Sequence, residues 1–343
     1  MGKRNRRQGF VVLLLCLSLV TAASGCSQRK EYQESTVYAM DTILTFQVLT
    51  DSDSEIFDLL RKEVDQVNLM LSATDASSEL YRLNQSDGER LEISEDLADV
   101  IVRCLSVAKE TDGALNIALY PVTQAWGFPN GDYHIPNGEI LKDLMKKIDW
   151  KEIQIERNQI QLLPGMALDM GAVGKGYLTD RCVAVLKEQQ ISSALLKLGG
   201  NIYAYGTRED GSAWRIGVQK PFSEEVAAIL TAKDEAIVTS GTYQRYFEKD
   251  GKKYHHIIDS ATGYPADNEL ESVTIVSESG FQADALSTAY FVMGLDASIQ
   301  AWRQKEDIGV IWILKDGAIY YTENLDGRFT AAEGTETYMV RQE

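Results

Sequence analysis

Apolar residues return at helical spacing in a few long stretches of this chain and alternate with polar ones in many short ones. The cleanest helical pattern is 55–71, where Ile56, Leu59, Leu60, Val64, Val67 and Leu71 fall on one face. Ser94 is placed as the N-cap of a second helix reaching about Lys109, closed by the turn Thr111-Asp112-Gly113. Further helices are predicted over 140–148, 177–189 and 282–293, the last with Ser279 and Gln282 as a capping box and Gly294 as its stop. Strands are predicted over 36–49, 194–198, 202–205, 214–218, 236–239, 243–249, 253–259, 272–277, 308–315 and 317–322. Residues 153–155 and 159–163 read as a hairpin closed by Glu156-Arg157-Asn158, and 114–126 as a loop or short helix.

Strands and helices are mixed rather than alternating, which predicts an α+β fold with mixed sheets and packed helices. No Pro/Gly/Ser-rich linker interrupts the chain after residue 35, and only six prolines occur in 343 residues. A single compact domain over 36–335 is therefore expected. With 44% hydrophobic residues it can bury a sizeable core.

The N-terminus reads as an address. Lys3, Arg4, Arg6 and Arg7 precede an apolar run from Phe10 to Val20 that is too short to remain as a membrane span. Ala23-Ser24-Gly25-Cys26 resembles a lipobox, which predicts a lipoprotein signal peptide over 1–25, a lipid on Cys26 and a polar tether over 26–35. The mature protein would sit lipid-anchored at the extracytoplasmic face of the cell membrane, with the choice of inner or outer membrane left open. Loss of the signal removes four cations and no anions, taking the net charge from −17 to −21. Such acidity speaks against nucleic-acid binding, which needs a basic face. Cys104 and Cys182 each lie in an amphipathic helical pattern, so buried free thiols are expected.

Three constellations carry chemistry. Gly171-Ala172-Val173-Gly174-Lys175-Gly176 lies between a strand-like run and a helix. It is neither a P-loop nor a dinucleotide fingerprint; it reads equally as a structural turn or as a helix N-terminus baring amides and Lys175 to an anion. Asp284, Ser287 and Thr288 stand at i, i+3 and i+4, a set of hard oxygen donors suited to Mg²⁺ or, alternatively, a polar helix stripe. His255 and His256 would point to opposite sides of a strand, so they form no two-histidine chelate; one of them faces a site as a base or, alternatively, both are strand histidines with no chemistry.

Taken in order, these segments resemble the ApbE family of FAD:protein FMN transferases. The resemblance runs through Met40-Asp41-Thr42, Ser78 to Asn84, Thr111 to Ala114, Asp169 to Asp180, Gly199-Gly200-Asn201, Trp214 to Gly217, Thr239-Ser240-Gly241, His256 to Asp259 and Asp284 to Thr288. It implies a Mg²⁺-dependent transferase that uses FAD as substrate. FMN passes to a threonine hydroxyl of a partner protein, a subunit of a membrane redox complex or another extracytoplasmic flavoprotein, and AMP is released. Carried over by position, the metal falls to the Ala172 carbonyl, Asp284 and Thr288 with Ser287 close by, and the general base to His256. Asp169 and Lys175 would contact FAD, while Met40, Thr74, Ala114, Leu115, Asn116 and Ile258 would line the flavin site.

Three positions depart from the family pattern. Asp41 replaces a glycine and is expected to tighten or distort the adenine end; Asn116 replaces an aspartate and removes an acceptor near the ligand; Ser260 replaces a proline and alters loop stiffness. The alternatives are an FAD pyrophosphatase giving FMN and AMP, a non-catalytic FAD-binding lipoprotein, and an extracytoplasmic scaffold that binds no flavin.

Overall fold

The long strands bury both of their faces, and that sets the architecture. A computed structural model describes residues 30–51, 55–305 and 307–342; the signal peptide and Cys26 lie outside them. Nine strands form one sheet in the order Glu31–Ala39, Thr42–Thr50, Ser193–Leu198, Asn201–Gly206, Glu235–Gly241, Leu270–Ser277, Gly309–Leu314, Ile319–Thr322 and Thr337–Val340. Every pairing is antiparallel except the last, which is parallel. Alternate residues serve two cores. Leu196, Val238, Ile275 and Trp312 join a cluster beneath the helices, whereas Leu195, Ile237, Val276 and Ile311 pack with a small sheet on the opposite face.

That small sheet comprises Trp214–Gln219, Val226–Ala232 and Phe329–Ala331. The helical layer carries Glu55–Leu71, Glu95–Glu110, Gly174–Glu188 and Gly280–Met293. Shorter helices, Glu79–Asn84, Tyr120–Ala125 and Gly138–Leu144, and the three-stranded sheet around Gln159–Gln161 extend the same core. Ser94 caps its helix as expected, accepting from the Leu97 amide. Cys104 and Cys182 are free and buried, and burial pushes both thiols far up. Among the described residues no helix is long and apolar enough to cross a membrane.

The fold differs from the pattern reading at its ends and turns. The first strand begins at Glu31, inside the stretch read as tether, because Glu31 to Ala39 pair residue by residue with Thr50 to Thr42. What read as one strand over 36–49 is thus a hairpin. Its two-residue turn, Met40-Asp41, has φ of 52° and 58°, the doubly left-handed turn that suits strand twist. At the other end Thr337–Val340 lies beyond residue 335 and pairs with Ile319–Thr322, Tyr338 stacking on Tyr320. The helix Leu295–Trp302 was hidden by Gly294, which ends one helix and opens the next. The capping box at Ser279 is half made. Ser279 Oγ accepts from the Gln282 amide, but the Gln282 carboxamide turns to Ser277 Oγ and Asp307.

Candidate active site

Two helices, Gly174–Glu188 and Gly280–Met293, cross at their first turns, and glycine makes the crossing possible. A Cβ on Gly176 would stand 2.3 Å from the Gly280 carbonyl oxygen and 2.6 Å from Asp284 Cβ. The close approach lets the Gly176 amide donate to Asp284 Oδ2 at 2.8 Å. In exchange, Asp180 of the first helix accepts from the Gly280 amide at 2.5 Å, the Phe281 amide at 3.1 Å and Ser279 Oγ at 3.0 Å. Each helix N-terminus thus receives a carboxylate from the other, where the unpaired amides and the helix dipole favour it.

This arrangement gives the glycine turn a structural role, while Ala172 and Lys175 still line the cleft. Four of the turn's amides are taken up within the protein: Gly171 donates to Asp169 Oδ1, Val173 and Gly174 to the Met170 carbonyl, and Gly176 to Asp284. The anion at this helix start is the protein's own Asp284. Lys175, from the same turn, reaches to 4.0 Å from Asp284 Oδ1.

Asp284 is 3% exposed, and burial raises its pKa against the opposing pull of Lys175 and the Gly176 amide. Beside it Asn201 is buried, and its side-chain amide also favours the ionised Asp284 carboxylate. Ser240, just past the strand predicted over 236–239, lies in the strand Glu235–Gly241. Its Oγ is 2.8 Å from Ser287 Oγ and 3.2 Å from Thr288 Oγ1. Ser287 also donates to the Asp284 carbonyl, is fully buried, and alone among the site residues inferred from sequence stays out of the cleft. It supports Thr288 from behind rather than facing a ligand.

Asp284, Thr288 and Ala172 open into one cleft of about 1270 Å³, larger than the roughly 300–1,000 Å³ of ordinary small-molecule sites. Their oxygens fit Mg²⁺, which takes one or two carboxylates and leaves other positions to water and phosphate. A buried carboxylate whose nearest cation is 4.0 Å away leaves room for such a group. Among the described residues no set of three or more His, Cys, Asp or Glu converges as a metal cluster.

Met40, Thr74, Ala114, Leu115, Asn116, Asp169, Lys175, His256 and Ile258 line the same cleft. Asp41 takes the left-handed turn position without a glycine, a conformation aspartate tolerates. Asn116 Oδ1 accepts from the Ala118 amide and its Nδ2 donates to the Ile148 carbonyl, both at 2.9 Å. Its carboxamide is therefore committed to the turn it caps, which is more than the loss of an acceptor. Ser260 Oγ donates to the Gly113 carbonyl at 2.7 Å, tying two loops together rather than only changing stiffness. Tyr120 and Thr123, unmarked by any sequence pattern, also line the cleft, with Thr123 Oγ1 3.4 Å from Asp169 Oδ2.

The two histidines separate cleanly. His255 ends the strand Lys252–His255, is buried edge-on against Phe291, and donates from Nε2 to the Ala266 carbonyl at 3.0 Å. His256 is half-buried and lines the cleft. Its Nδ1 lies 3.1 Å from the Arg245 carbonyl, which can only accept; the proton sits on Nδ1 and the Nε2 lone pair is free. Burial first, then the Arg245 charge, pushes the His256 pKa down to about 3, so the ring is neutral at physiological pH.

The ApbE family model matches residues 40–312, spanning the crossing helices, the cleft and the His256 ribbon. The chain belongs to the ApbE family. Among its ApbE relatives is an FAD:protein FMN transferase of Klebsiella pneumoniae, 33% identical over 283 residues that cover 81% of this chain and 86% of that one. Another FAD:protein FMN transferase, from Treponema pallidum, is 30% identical over 94% of this chain and 97% of its own. The ApbE protein of Thermotoga maritima superposes with a TM-score of 0.80 at 29% identity, over 86% of this chain and 98% of that one. The flavin transferase ApbE from Vibrio cholerae gives 0.78 at 28% identity, over 86% and 99%.

Proposed function

We propose that the protein transfers FMN from FAD to a threonine hydroxyl of a partner protein and releases AMP. The observation that carries this reading is the placement of Asp284, Thr288, Lys175 and a neutral His256 around one cleft large enough for a dinucleotide. The named activity of the Klebsiella and Treponema relatives supports it.

Asp284, Thr288 and the Ala172 carbonyl would hold Mg²⁺, which when bound neutralises pyrophosphate charge and orients the phosphorus under attack. Lys175 adds a second positive charge and opposes the upward push of burial on the Asp284 pKa. His256 Nε2 takes the proton of the acceptor hydroxyl, its orientation set by the bond from Nδ1 to Arg245. The hydroxyl oxygen bonds to the phosphorus on the riboflavin side, the bond from that phosphorus to the bridging oxygen breaks, and AMP leaves carrying that oxygen. Met40, Thr74, Leu115 and Ile258 supply the surface on which the flavin half rests, and the walls of the cleft limit water as a competing nucleophile.

The sequence around Cys26 supports a lipid anchor, which would hold the enzyme at the extracytoplasmic face of the membrane beside acceptors of membrane redox complexes. The test mixes the protein with FAD, Mg²⁺ and a threonine-bearing acceptor and reads the acceptor by intact mass. A gain of one FMN, lost with EDTA, is expected. Free FMN accumulating undiminished by the acceptor would instead establish a pyrophosphatase.

A further inference from the structure

Among its described lining residues the cleft carries five carboxylates, on Asp41, Asp65, Asp75, Asp169 and Asp284, and two permanent cations, on Lys175 and Arg245. A pyrophosphate brings two more negative charges into this acidic surround. Lys175 already answers Asp284 at 4.0 Å. Arg245 is exposed, and among the described residues its guanidinium has no carboxylate or other hydrogen-bond partner. Its backbone carbonyl is engaged with one group alone, His256, accepting from the amide and from Nδ1, each at 3.1 Å.

Arg245 and His256 form the open end of the ribbon Tyr246–Lys249 and Lys252–His255, whose first pair is Tyr246 with His255. Stacked rings stiffen that ribbon. Phe247 lies 5.2 Å from Tyr254 and 5.6 Å from Tyr133, and Lys253 sits 3.5 Å over Phe222 on the other side. A rigid support therefore presents a free guanidinium and a free imidazole lone pair side by side at the cleft.

We infer that Arg245 is a catalytic residue of the transfer reaction, its guanidinium binding the non-bridging oxygens of the phosphoryl group that the acceptor attacks. This rests on the transferase reading above. The guanidinium fork matches two phosphate oxygens at once. With Lys175 it stabilises charge where it collects in the transition state. The acceptor O–H proton still passes to His256 Nε2, the new O–P bond forms, and the bridging oxygen leaves with AMP.

The test compares full-length wild type with Arg245→Gln and Arg245→Lys, reading FMN transfer by intact mass and FAD affinity by flavin fluorescence. The carbonyl that orients His256 belongs to the backbone and survives in both variants, so only the side chain is probed. Arg245→Gln is expected to slow transfer roughly 10²–10³-fold and to weaken FAD binding, with Arg245→Lys recovering part of both and an unchanged melting temperature. Wild-type rate and affinity in Arg245→Gln would overturn the assignment. If wild type cleaves FAD without transferring FMN, the transferase reading fails instead, and Arg245 is judged on cleavage by the same variants. If wild type does neither, Arg245 is judged on FAD affinity alone, and equal affinity overturns it.

Discussion

Asp180 and Asp284 are the same residue type in the same role, each capping the helix that carries the other, yet their surroundings differ. Asp180 is saturated by two amides and a hydroxyl, with Arg103 3.7 Å away on the outer side. Asp284 has one backbone donor, the Asn201 side chain, a lysine at 4.0 Å, and burial that raises its pKa. A carboxylate with its lone pairs satisfied holds a structure together; one buried with an oxygen left toward a cleft is poised for a cation or a ligand. Which half of the exchange is structural and which is chemical follows from that difference.

The comparison breaks most sharply at Asp284. Asp284→Asn keeps the bond from Gly176 but removes the charge, and transfer should fall by roughly 10³-fold or more while the melting temperature holds or rises; near-normal turnover would erase the distinction. His256→Ala should slow transfer roughly 10²–10⁴-fold, against a few-fold for His255→Ala, and rate assays on both decide between them. Asp180→Ala leaves two amides and a hydroxyl unpaired, which should cost about 2–4 kcal/mol and lower the melting temperature, with transfer per folded molecule little changed. Lys175→Ala should weaken FAD binding, which titration of flavin fluorescence would show.

A further prediction concerns pH. The folded pKa values of His255 and His256, about 4 and about 3, lie below the unfolded value of 6.5. As pH falls through 6.5 the unfolded chain binds protons that the folded chain refuses, so stability declines from there toward pH 3. Over that same upper range His256 stays neutral. His256 itself should therefore add no acid limb to kcat/KM between pH 8 and 5, and a ring that titrates near 6.5 by NMR would contradict this.

Much of this was legible in the chain because it is written locally. The helix Glu55–Leu71 follows from its apolar spacing, and Ser94 and Ser279 cap where the pattern begins. The site residues inferred from sequence line one cleft, apart from Ser287, because the glycine turn, the Asp284 helix and the His256 ribbon are each short motifs on rigid elements. What stayed hidden depends on pairing across the fold. The Met40-Asp41 hairpin turn needs two positive φ values with no glycine to announce them. Ser240 becomes informative only when its strand meets Ser287 and Thr288, and Asp180 only when Gly280 packs against Gly176. The Arg245 carbonyl that orients His256 is a backbone group, which no residue type encodes.

The most direct test of the central distinction is cation binding itself. Mn²⁺, standing in for Mg²⁺, would be titrated by electron paramagnetic resonance into wild type, Asp284→Asn and Asp180→Asn, each with FAD present. Tight binding is predicted in wild type and Asp180→Asn and loss of it in Asp284→Asn. Equal binding by all three would show that Asp284 is only a second cap.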